Sequence, residues 1–235
     1  MTTAGTIREA LRAVADPEVA AHSAGFFKTG PGEYGEGDRF IGVRIPAIRQ
    51  LVKTHRDLPE RAVLSLLRSP IHEERMFAVL VLVEQFTRGP RERRDHIATL
   101  YLDNREHVNN WDLVDSSCHK ILGPWLCDRD RSLLYDLAGS NSVWDRRIAM
   151  MTTYHFIHRD DYADALALAE RLRDDEHDLI HKVVGWMLRE IGKRDLDVEE
   201  SFLKHHYSHM PRTMLRYAIE KLPASRRKDY LEGRV

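Results

Sequence analysis

The feature that most constrains the fold is a helical pattern that returns along the chain at a nearly constant spacing. Five amphipathic segments align on positions that lie 31 to 36 residues apart, namely Arg75, Trp111, Arg147, Lys182 and Thr213. This spacing is typical of two-helix repeats, in which each pair buries its apolar face only by stacking on its neighbour. The sequence therefore predicts an all-α fold, a curved solenoid of antiparallel helical pairs whose second helices line the concave surface.

The period of the apolar residues and the positions of Gly and Pro set the expected helix boundaries. A first amphipathic helix is expected over 6–20, and a break is expected at Gly123-Pro124. No linker or low-complexity segment interrupts the series, so residues 1–235 are expected to form a single domain. Further helices are predicted at 46–55, 59–68, 71–86, 91–103, 110–122, 128–138, 142–157, 161–172, 177–193, 197–206, 211–221 and 225–231.

A glycine-dense segment with aromatic residues runs from Phe26 to Phe40. Its glycines do not have the spacing of GxGxxG or of a P-loop, and no predicted strand precedes them, so phosphate binding is not expected. Two interpretations remain. The segment is either an ordered loop held by its Phe and Tyr side chains, which we favour, or a ligand-binding loop.

The charge and the cysteines narrow the class of protein. The formal net charge is −1, but residues 181–235 hold 12 Lys and Arg against 8 Asp and Glu, so an anionic partner would meet this part. No apolar run approaches the roughly 18 residues of a membrane span, and the N-terminus lacks an apolar signal core, which predicts a cytoplasmic protein without a membrane partner. Cys118 and Cys127 are expected to be small core residues of a reduced protein.

Cations recur on the second helices of the predicted pairs, where a solenoid presents its binding face. Such a row of cationic side chains could bind the regularly spaced phosphates of duplex DNA. Ion pairing between neighbouring helices explains the same residues, and charge alone favours that explanation. The cations are Arg75, Arg146, Arg147, Lys182, Arg189, Arg194, Arg212 and Arg216.

Two tryptophans have charged neighbours on the same helical face. Asp115 follows Trp111 by one helical turn, and Lys182 and Arg189 share a face with Trp186. Most helical tryptophans belong to the core, whereas these charged neighbours favour a groove wall; the residues alone leave both open. Asp115 is the sharpest candidate for a chemical role.

Several other polar residues have competing explanations. Asp115 could instead pair with Arg146 or Arg147, and this is as well supported by the sequence as a functional role. Asp112 lies in the first helical turn, where an acid stabilises the helix dipole, and Asn109 or Asn110 can cap the helix. The histidine clusters contain neither HExxH nor a Cys/His quartet, so no metal site is expected, and no serine nucleophile lies in a recognisable elbow.

Three segments carry a resemblance to a known family. They are Asn110 to Asp115, Val143 to Ala149, and His181 to Glu190. In order and spacing they resemble the DNA alkylation repair family of HEAT-like repeat DNA glycosylases, the AlkD-like proteins, and the resemblance runs over nearly the whole chain. The three motifs together are specific for this family, whereas each motif alone is only weak evidence for it.

The resemblance implies a stack of HEAT-like repeats with a concave cleft for duplex DNA. It implies base excision of cationic N3- or N7-alkylated purines, such as 3-methyladenine and 7-methylguanine, without base flipping. By motif match, Trp111 and Trp186 take the places of the aromatic contacts, Asp115 that of the catalytic carboxylate, and Arg147 that of a DNA-backbone contact. No lysine is placed as a Schiff-base nucleophile, so a monofunctional enzyme that leaves an abasic site is expected. No metal or organic cofactor is implied, and the protein is expected to act on duplex DNA as a monomer.

One departure and two rival functions accompany this expectation. The segment from Gly30 to Asp38 marks a branch apart from the best-understood members, and related branches bind DNA without detectable excision. A non-catalytic reader of damaged or branched DNA would bind in a salt-sensitive way that survives loss of Asp115. A protein-interaction scaffold, a common use of helical solenoids, would have no affinity for DNA.

Overall fold

A computed structural model describes residues 2–235 of the chain. All the regular elements in these residues are helices, and an isolated parallel bridge joins Arg39 to Ile71. The all-α prediction is confirmed. No helix among the described residues is both long and apolar enough to cross a membrane.

The chain divides into two compact units, of which the first ends at Ser117 and the second spans Cys118–Val235. The curved solenoid and the single domain over 1–235 stay predictions. Helices of the first unit are α1 Ala4–Arg12, α2 Pro17–Phe26, α3 Ile45–His55, α4 Glu60–Leu67, α5 His72–Arg88, α6 Arg91–Asp103 and a 3-10 turn Arg105–His107; α7 Trp111–Leu126 begins there and ends in the second unit. Helices of the second unit are α8 Ser132–Ala138, α9 Val143–Thr152, α10 Tyr154–Ile157, α11 Ala163–Arg171, α12 Asp178–Gly192, α13 Leu196–His206, α14 Arg212–Ala218, a 3-10 turn Ile219–Lys221 and α15 Ala224–Glu232.

Helix α5 forms the centre of the first unit and packs against α1, α3, α4 and α6. Its residues from His72 to Leu82 are all buried, including the polar residues of the first turn. Each of those polar side chains has a partner from the N-terminal part of the chain. The carboxylate of Glu73 accepts the backbone N–H groups of Ile41, Gly42 and Val43 at 2.7 to 3.2 Å. Burial of this turn is therefore compensated by hydrogen bonds.

Glycine is required where the segment before α3 approaches α2. Gly42 has φ +82°, and a Cβ atom there would lie 1.9 Å from the carbonyl oxygen of Asp16. Any side chain would both strain the backbone and collide with the start of α2. This close approach places the backbone N–H of Gly42 2.7 Å from the Glu73 carboxylate.

In the second unit, α12 packs against both α9 and α14, and α9 and α12 also pack against the helices that precede them in their pairs, α8 and α11. Arg147, Lys182 and Thr213 lie on these three helices, as the repeat spacing predicts. Gly185 lets α12 approach α14 closely, because a Cβ atom at this position would lie 2.3 Å from the carbonyl oxygen of Met214. The period in the sequence thus corresponds to successive packed helices within this unit.

The prediction of one helix over 6–20 is wrong. Two helices occupy the region, and α2 extends to Phe26, although the sequence predicted that a loop begins at this residue. The Asp16 carboxylate accepts the backbone N–H groups of Glu18 and Val19 at 2.9 and 3.3 Å, and Pro17 occupies the first helical position. Side-chain capping together with proline starts a new helix here.

The break predicted at Gly123-Pro124 is also wrong, because α7 continues through both residues to Leu126. Gly123 serves close packing, since a Cβ atom there would lie 2.3 Å from the Cβ of His155. In contrast, the helix predicted over 142–157 is divided. The hydroxyls of Thr152 and Thr153 donate to backbone carbonyls at 2.7 Å, which competes with regular helical hydrogen bonding.

The two cysteines differ in exposure. Cys118 is buried, as expected, whereas Cys127 is exposed, so the prediction that both lie in the core is wrong. Because α7 ends at Leu126, Cys127 follows the last buried position of that helix.

A buried carboxyl on α13 makes the stability of the second unit depend on pH. Glu199 is 2% exposed, and its Oε1 has no hydrogen-bond partner among the described residues. Gly192 leaves room for it, because a Cβ atom there would lie 1.6 Å from Oε2. Burial, and then the charge of Glu200, raise the pKa of Glu199 to about 8, while Arg189 opposes the shift.

We expect the wild type to lose stability as the pH becomes alkaline, and Glu199→Gln to prevent this loss. A raised carboxyl pKa means that the folded state binds the extra proton, so the free energy of unfolding falls as pH rises from about 4.5 to about 8. The variant should be more stable than wild type at pH 9, by up to about 5 kcal/mol, and similar at pH 4. Urea denaturation across this range checks it. Glu176→Gln, which removes an exposed carboxylate of the same unit, is the control; an unchanged pH profile in Glu199→Gln would contradict the assignment.

Candidate functional site

Helix α7 begins at a side-chain cap. The Oδ1 atom of Asn110 accepts the backbone N–H of Trp111 at 2.8 Å, and its Nδ2 donates to Asp38 Oδ2 at 3.0 Å. The prediction that an asparagine caps this helix is confirmed. Asn110 is fully buried, so the cap also ties the helix start to the glycine-dense segment.

The helix then places Trp111 and Asp115 one turn apart. Leu113 and Val114, between them, are fully buried, whereas Trp111 and Asp115 are each partly exposed. The indole and the carboxylate are therefore one turn apart on the helix, and each keeps part of its surface accessible. This is the pairing that the sequence spacing predicts.

An aromatic cluster supports Trp111. The ring of Phe27 stacks on the indole at a centroid distance of 5.2 Å and 23°, and Phe26 meets it edge-on at 5.9 Å. Phe27 stacks in turn on Phe40 at 5.1 Å, and Phe40 on His72 at 4.6 Å. Such contacts fix the position of the indole and cover part of its surface. Phe26 itself is 58% exposed.

His72, under this cluster, is a buried cation between two carboxylates. Its Nδ1 lies 3.0 Å from Asp38 Oδ2, and its Nε2 lies 2.9 Å from Asp112 Oδ2. Burial lowers the pKa of the imidazole, but the hydrogen bonds to Asp112 and Asp38 outweigh it and raise the pKa to about 9. Both ring nitrogens therefore carry protons at neutral pH.

Arg75 and Asn110 complete the network around Asp38. Arg75 donates to Asp38 Oδ1 and to the carbonyl of Ser69, and Asn110 donates to Asp38 Oδ2. Burial raises the pKa of Asp38, but His72, Arg75 and Asn110 together outweigh this and lower it. The network joins the glycine-dense segment, α5 and α7, and its two cations balance the carboxylates of Asp38 and Asp112.

In the second unit, Trp186 lies partly exposed on α12. Its Nε1 donates to Glu190 Oε1 at 2.9 Å, and the same oxygen accepts from Lys193 Nζ at 2.6 Å. The ring of Tyr154 lies 6.2 Å from the indole. Trp186 is thus held by a charged neighbour one turn away and by an aromatic ring.

The predicted DNA-binding cations fall into two groups. Arg75 and Arg147 are 3% and 4% exposed, and Arg147 donates to the carbonyl of Leu179 at 2.7 Å. Arg146 binds Asp175 at 2.6 Å, and Arg189 binds Glu190 and Glu220. The remaining cations are more accessible: Lys182, whose side chain is 38% exposed beside Asp178, Arg212, which donates to the carbonyl of Leu231, and the exposed Arg216.

Asp38, His72 and Phe27 were not predicted from the sequence as site residues. Asp38 and His72 are 34 residues apart in the chain, and no helical or strand spacing relates them. One signal was available: His72, Glu73, Glu74 and Arg75 are four consecutive polar residues, so an amphipathic helix must bury some of them. Among the described residues, no group of three or more His, Cys, Asp and Glu is placed to hold a metal ion.

A model of the DNA alkylation repair enzyme family matches residues 7–222. The chain belongs to this family. A solved structure described as a predicted DNA alkylation repair enzyme from Enterococcus faecalis superposes on the chain with a TM-score of 0.67 and 19% identity. The superposition covers 89% of this chain and 97% of that one, which shows a shared fold. No curated protein matches the chain.

Membership of the DNA alkylation repair family supports a role in DNA repair. The three segments that carry the resemblance lie within the matched range and on three helices, α7, α9 and α12. The glycine-dense segment is bound into the first unit through Asp38 and through Phe27 and Phe40.

Proposed function

We propose that this protein is a monofunctional DNA glycosylase. It would hydrolyse the N-glycosidic bond of cationic N3- or N7-alkylated purines in duplex DNA, without flipping the base, and leave an abasic site. Membership of the DNA alkylation repair family supports the proposal, because it supports a role in DNA repair. The single observation that carries the proposal is the partly exposed pair of Trp111 and Asp115 on α7, whose helix start is fixed by the buried network.

Asp115 is proposed as the catalytic carboxylate. An alkylated purine already carries positive charge and is a good leaving group, so the reaction needs no strong general acid. Departure of the base leaves an oxocarbenium-like sugar, which an adjacent carboxylate stabilises while orienting water. A charge pair at about 4 Å and an effective dielectric near 20 is worth roughly 4 kcal/mol. Realised only in the transition state, this is roughly a thousandfold in rate.

Trp111 and Trp186 are proposed as aromatic contacts to the cationic nucleotide. A tryptophan face over a cation contributes roughly 0.5 to 2 kcal/mol. Phe27 holds the Trp111 ring from one side, so little conformational freedom remains to be lost on binding. Each tryptophan is thus proposed to contribute less than Asp115.

Phosphate contacts are proposed chiefly for Lys182, Arg212 and Arg216. Arg146, Arg147 and Arg189 have less accessible side chains and would have to exchange their present hydrogen bonds to contact DNA, and we leave Arg75 out of the set. Its guanidinium is buried against Asp38 and Ser69.

We expect Arg216→Gln and Arg75→Gln to differ in their effect on DNA binding. Arg216→Gln should reduce the slope of log affinity against log salt by about 0.9, the effect of one lost phosphate contact. Arg75→Gln should leave the slope unchanged and lower the free energy of unfolding, because it breaks a buried pair. Fluorescence anisotropy with a DNA duplex at several salt concentrations measures the slopes. The exposed Arg49→Gln is the control, and an equal change of slope for Arg75→Gln would contradict this division.

Release of 7-methylguanine from methylated duplex DNA tests the proposed function. Release by the purified protein, with abasic sites and no strand cleavage, supports it. Salt-dependent DNA binding without release would instead identify a non-catalytic reader. If the protein neither releases the base nor binds DNA, the protein-interaction scaffold is the function that remains.

A further inference from the structure

An exposed cysteine outside the proposed site is paired with a histidine. The Sγ atom of Cys127 lies 3.2 Å from His155 Nε2. The other ring nitrogen, Nδ1, lies 3.3 Å from Arg159 Nη1, which also contacts the carbonyl oxygen of His155 at 3.2 Å. A thiol, an imidazole and a guanidinium thus form a chain on the surface of the second unit.

The guanidinium determines which nitrogen of His155 holds the proton. Arginine can only donate, so Nδ1 must accept, and a neutral ring then carries its hydrogen on Nε2. Burial, and then the charges of Arg159, His158 and Arg131, lower the pKa of His155 to about 4, so the ring is neutral at pH 7. The Nε2–H group therefore donates to the sulfur of Cys127. A sulfur that has lost its proton is the stronger acceptor of this hydrogen bond.

The fold brings the histidine to this position. Gly123 lies one turn before Cys127, and its missing side chain lets the Cβ of His155 approach α7. Arg159 makes no ion pair with a carboxylate among the described residues, unlike Arg131, which binds Asp161 and Asp164. The positive charge of Arg159, on the opposite side of the imidazole from the sulfur, is therefore available to an anionic reagent.

We propose that Cys127 is a modification site at which an anionic low-molecular-weight disulfide forms a reversible mixed disulfide. The proton of the thiol passes to solvent, and the thiolate attacks one sulfur of the reagent. A new S–S bond forms as the S–S bond of the reagent breaks, and the released half leaves as a thiolate that takes a proton from water. Cys127 is oxidised, and the released half of the reagent is reduced.

Thiol kinetics with two reagents test the site. The anionic 5,5′-dithiobis(2-nitrobenzoate) and the neutral 4,4′-dithiodipyridine are reacted with the whole protein at pH 7. Wild type should show one fast thiol, absent in Cys127→Ser, that reacts about tenfold faster than N-acetylcysteine, the effect of one hydrogen bond to a charged acceptor. His155→Gln should remove this advantage with both reagents. Arg159→Gln should slow the anionic reagent more than the neutral one, with Arg49→Gln as the control.

The adduct and two kinetic outcomes decide the proposal. After treatment with oxidised glutathione, mass spectrometry should find glutathione on Cys127 and not on the buried Cys118, and dithiothreitol should remove it. A wild-type rate equal to that of N-acetylcysteine would overturn the proposal without any variant. A folded His155→Gln protein that reacts at the wild-type rate, or adduct on Cys118 alone, would overturn it as well.

Discussion

Replacing His72 by alanine is expected to lower the free energy of unfolding by about 3 to 5 kcal/mol, the cost of breaking a buried ion pair. The imidazolium lies between Asp38 and Asp112, and its removal leaves both carboxylates beside a cavity. It also removes the ring on which Phe40 stacks. Urea denaturation at pH 6 measures the loss. The exposed His205→Gln is the control and should change stability by less than about 0.5 kcal/mol.

The pH dependence identifies the charge as the cause. A histidine whose pKa is raised stabilises the fold fully below pH 6.5, and this contribution is lost as pH rises through about 9. The lowered pKa of Asp38 acts in the opposite direction, because its contribution is lost as the solution becomes acidic enough to protonate it. His72→Ala should therefore flatten the stability profile between pH 6.5 and 9. A variant as stable as wild type at pH 6 would show that the network does not hold the unit together.

Asp115→Asn is expected to reduce the single-turnover rate of base release by about a thousandfold, corresponding to a charge interaction of roughly 4 kcal/mol. Asparagine keeps the shape of the side chain and removes its charge. Trp111→Ala and Trp186→Ala should cost less, about two- to thirtyfold each, because a cation–π contact is worth roughly 0.5 to 2 kcal/mol. The three variants together therefore rank charge above stacking.

Two controls separate catalysis from folding and binding in this series. Asp103→Asn removes an exposed carboxylate near the end of α6 and should leave the rate unchanged. DNA affinity of Asp115→Asn should stay at or above that of wild type, since a negative charge near phosphates is lost. Kinetics in which either tryptophan variant is the more damaging would contradict the assignment of Asp115.

Local and periodic features of the fold were predictable from the sequence. Helical spacing predicted α12, the starts of α7 and α9, the cap at Asn110, and the shared face of Trp111 and Asp115, because these depend on residues within one or two turns. The start of α2 depended equally on local residues, Asp16 and Pro17, but the apolar spacing masked it. The structural meaning of a glycine was ambiguous. Gly123 and the proline that follows it predicted a helix end, but α7 continues through both, and Gly123 allows close packing instead.

Contacts between distant segments were not predictable in this way. Asp38 reaches His72 and Asn110 across 34 and 72 residues, and only the folded chain brings them together. The same network explains why Arg75 is buried, although its repeat position predicted an exposed cation. The repeat spacing predicts the helix on which a residue lies. It does not predict whether that residue is buried, because this depends on segments outside the repeat that pack on the helix.

The most direct test of the proposed glycosylase is a single-turnover reaction with duplex DNA containing 7-methylguanine, for wild type and Asp115→Asn under the same conditions. We predict that wild type releases the free base and leaves abasic sites in intact strands. Asp115→Asn should bind the duplex but release the base at a rate about a thousandfold lower. Wild-type protein that binds the duplex and releases no base would contradict the account. Release that persists undiminished in Asp115→Asn would contradict the role of the carboxylate.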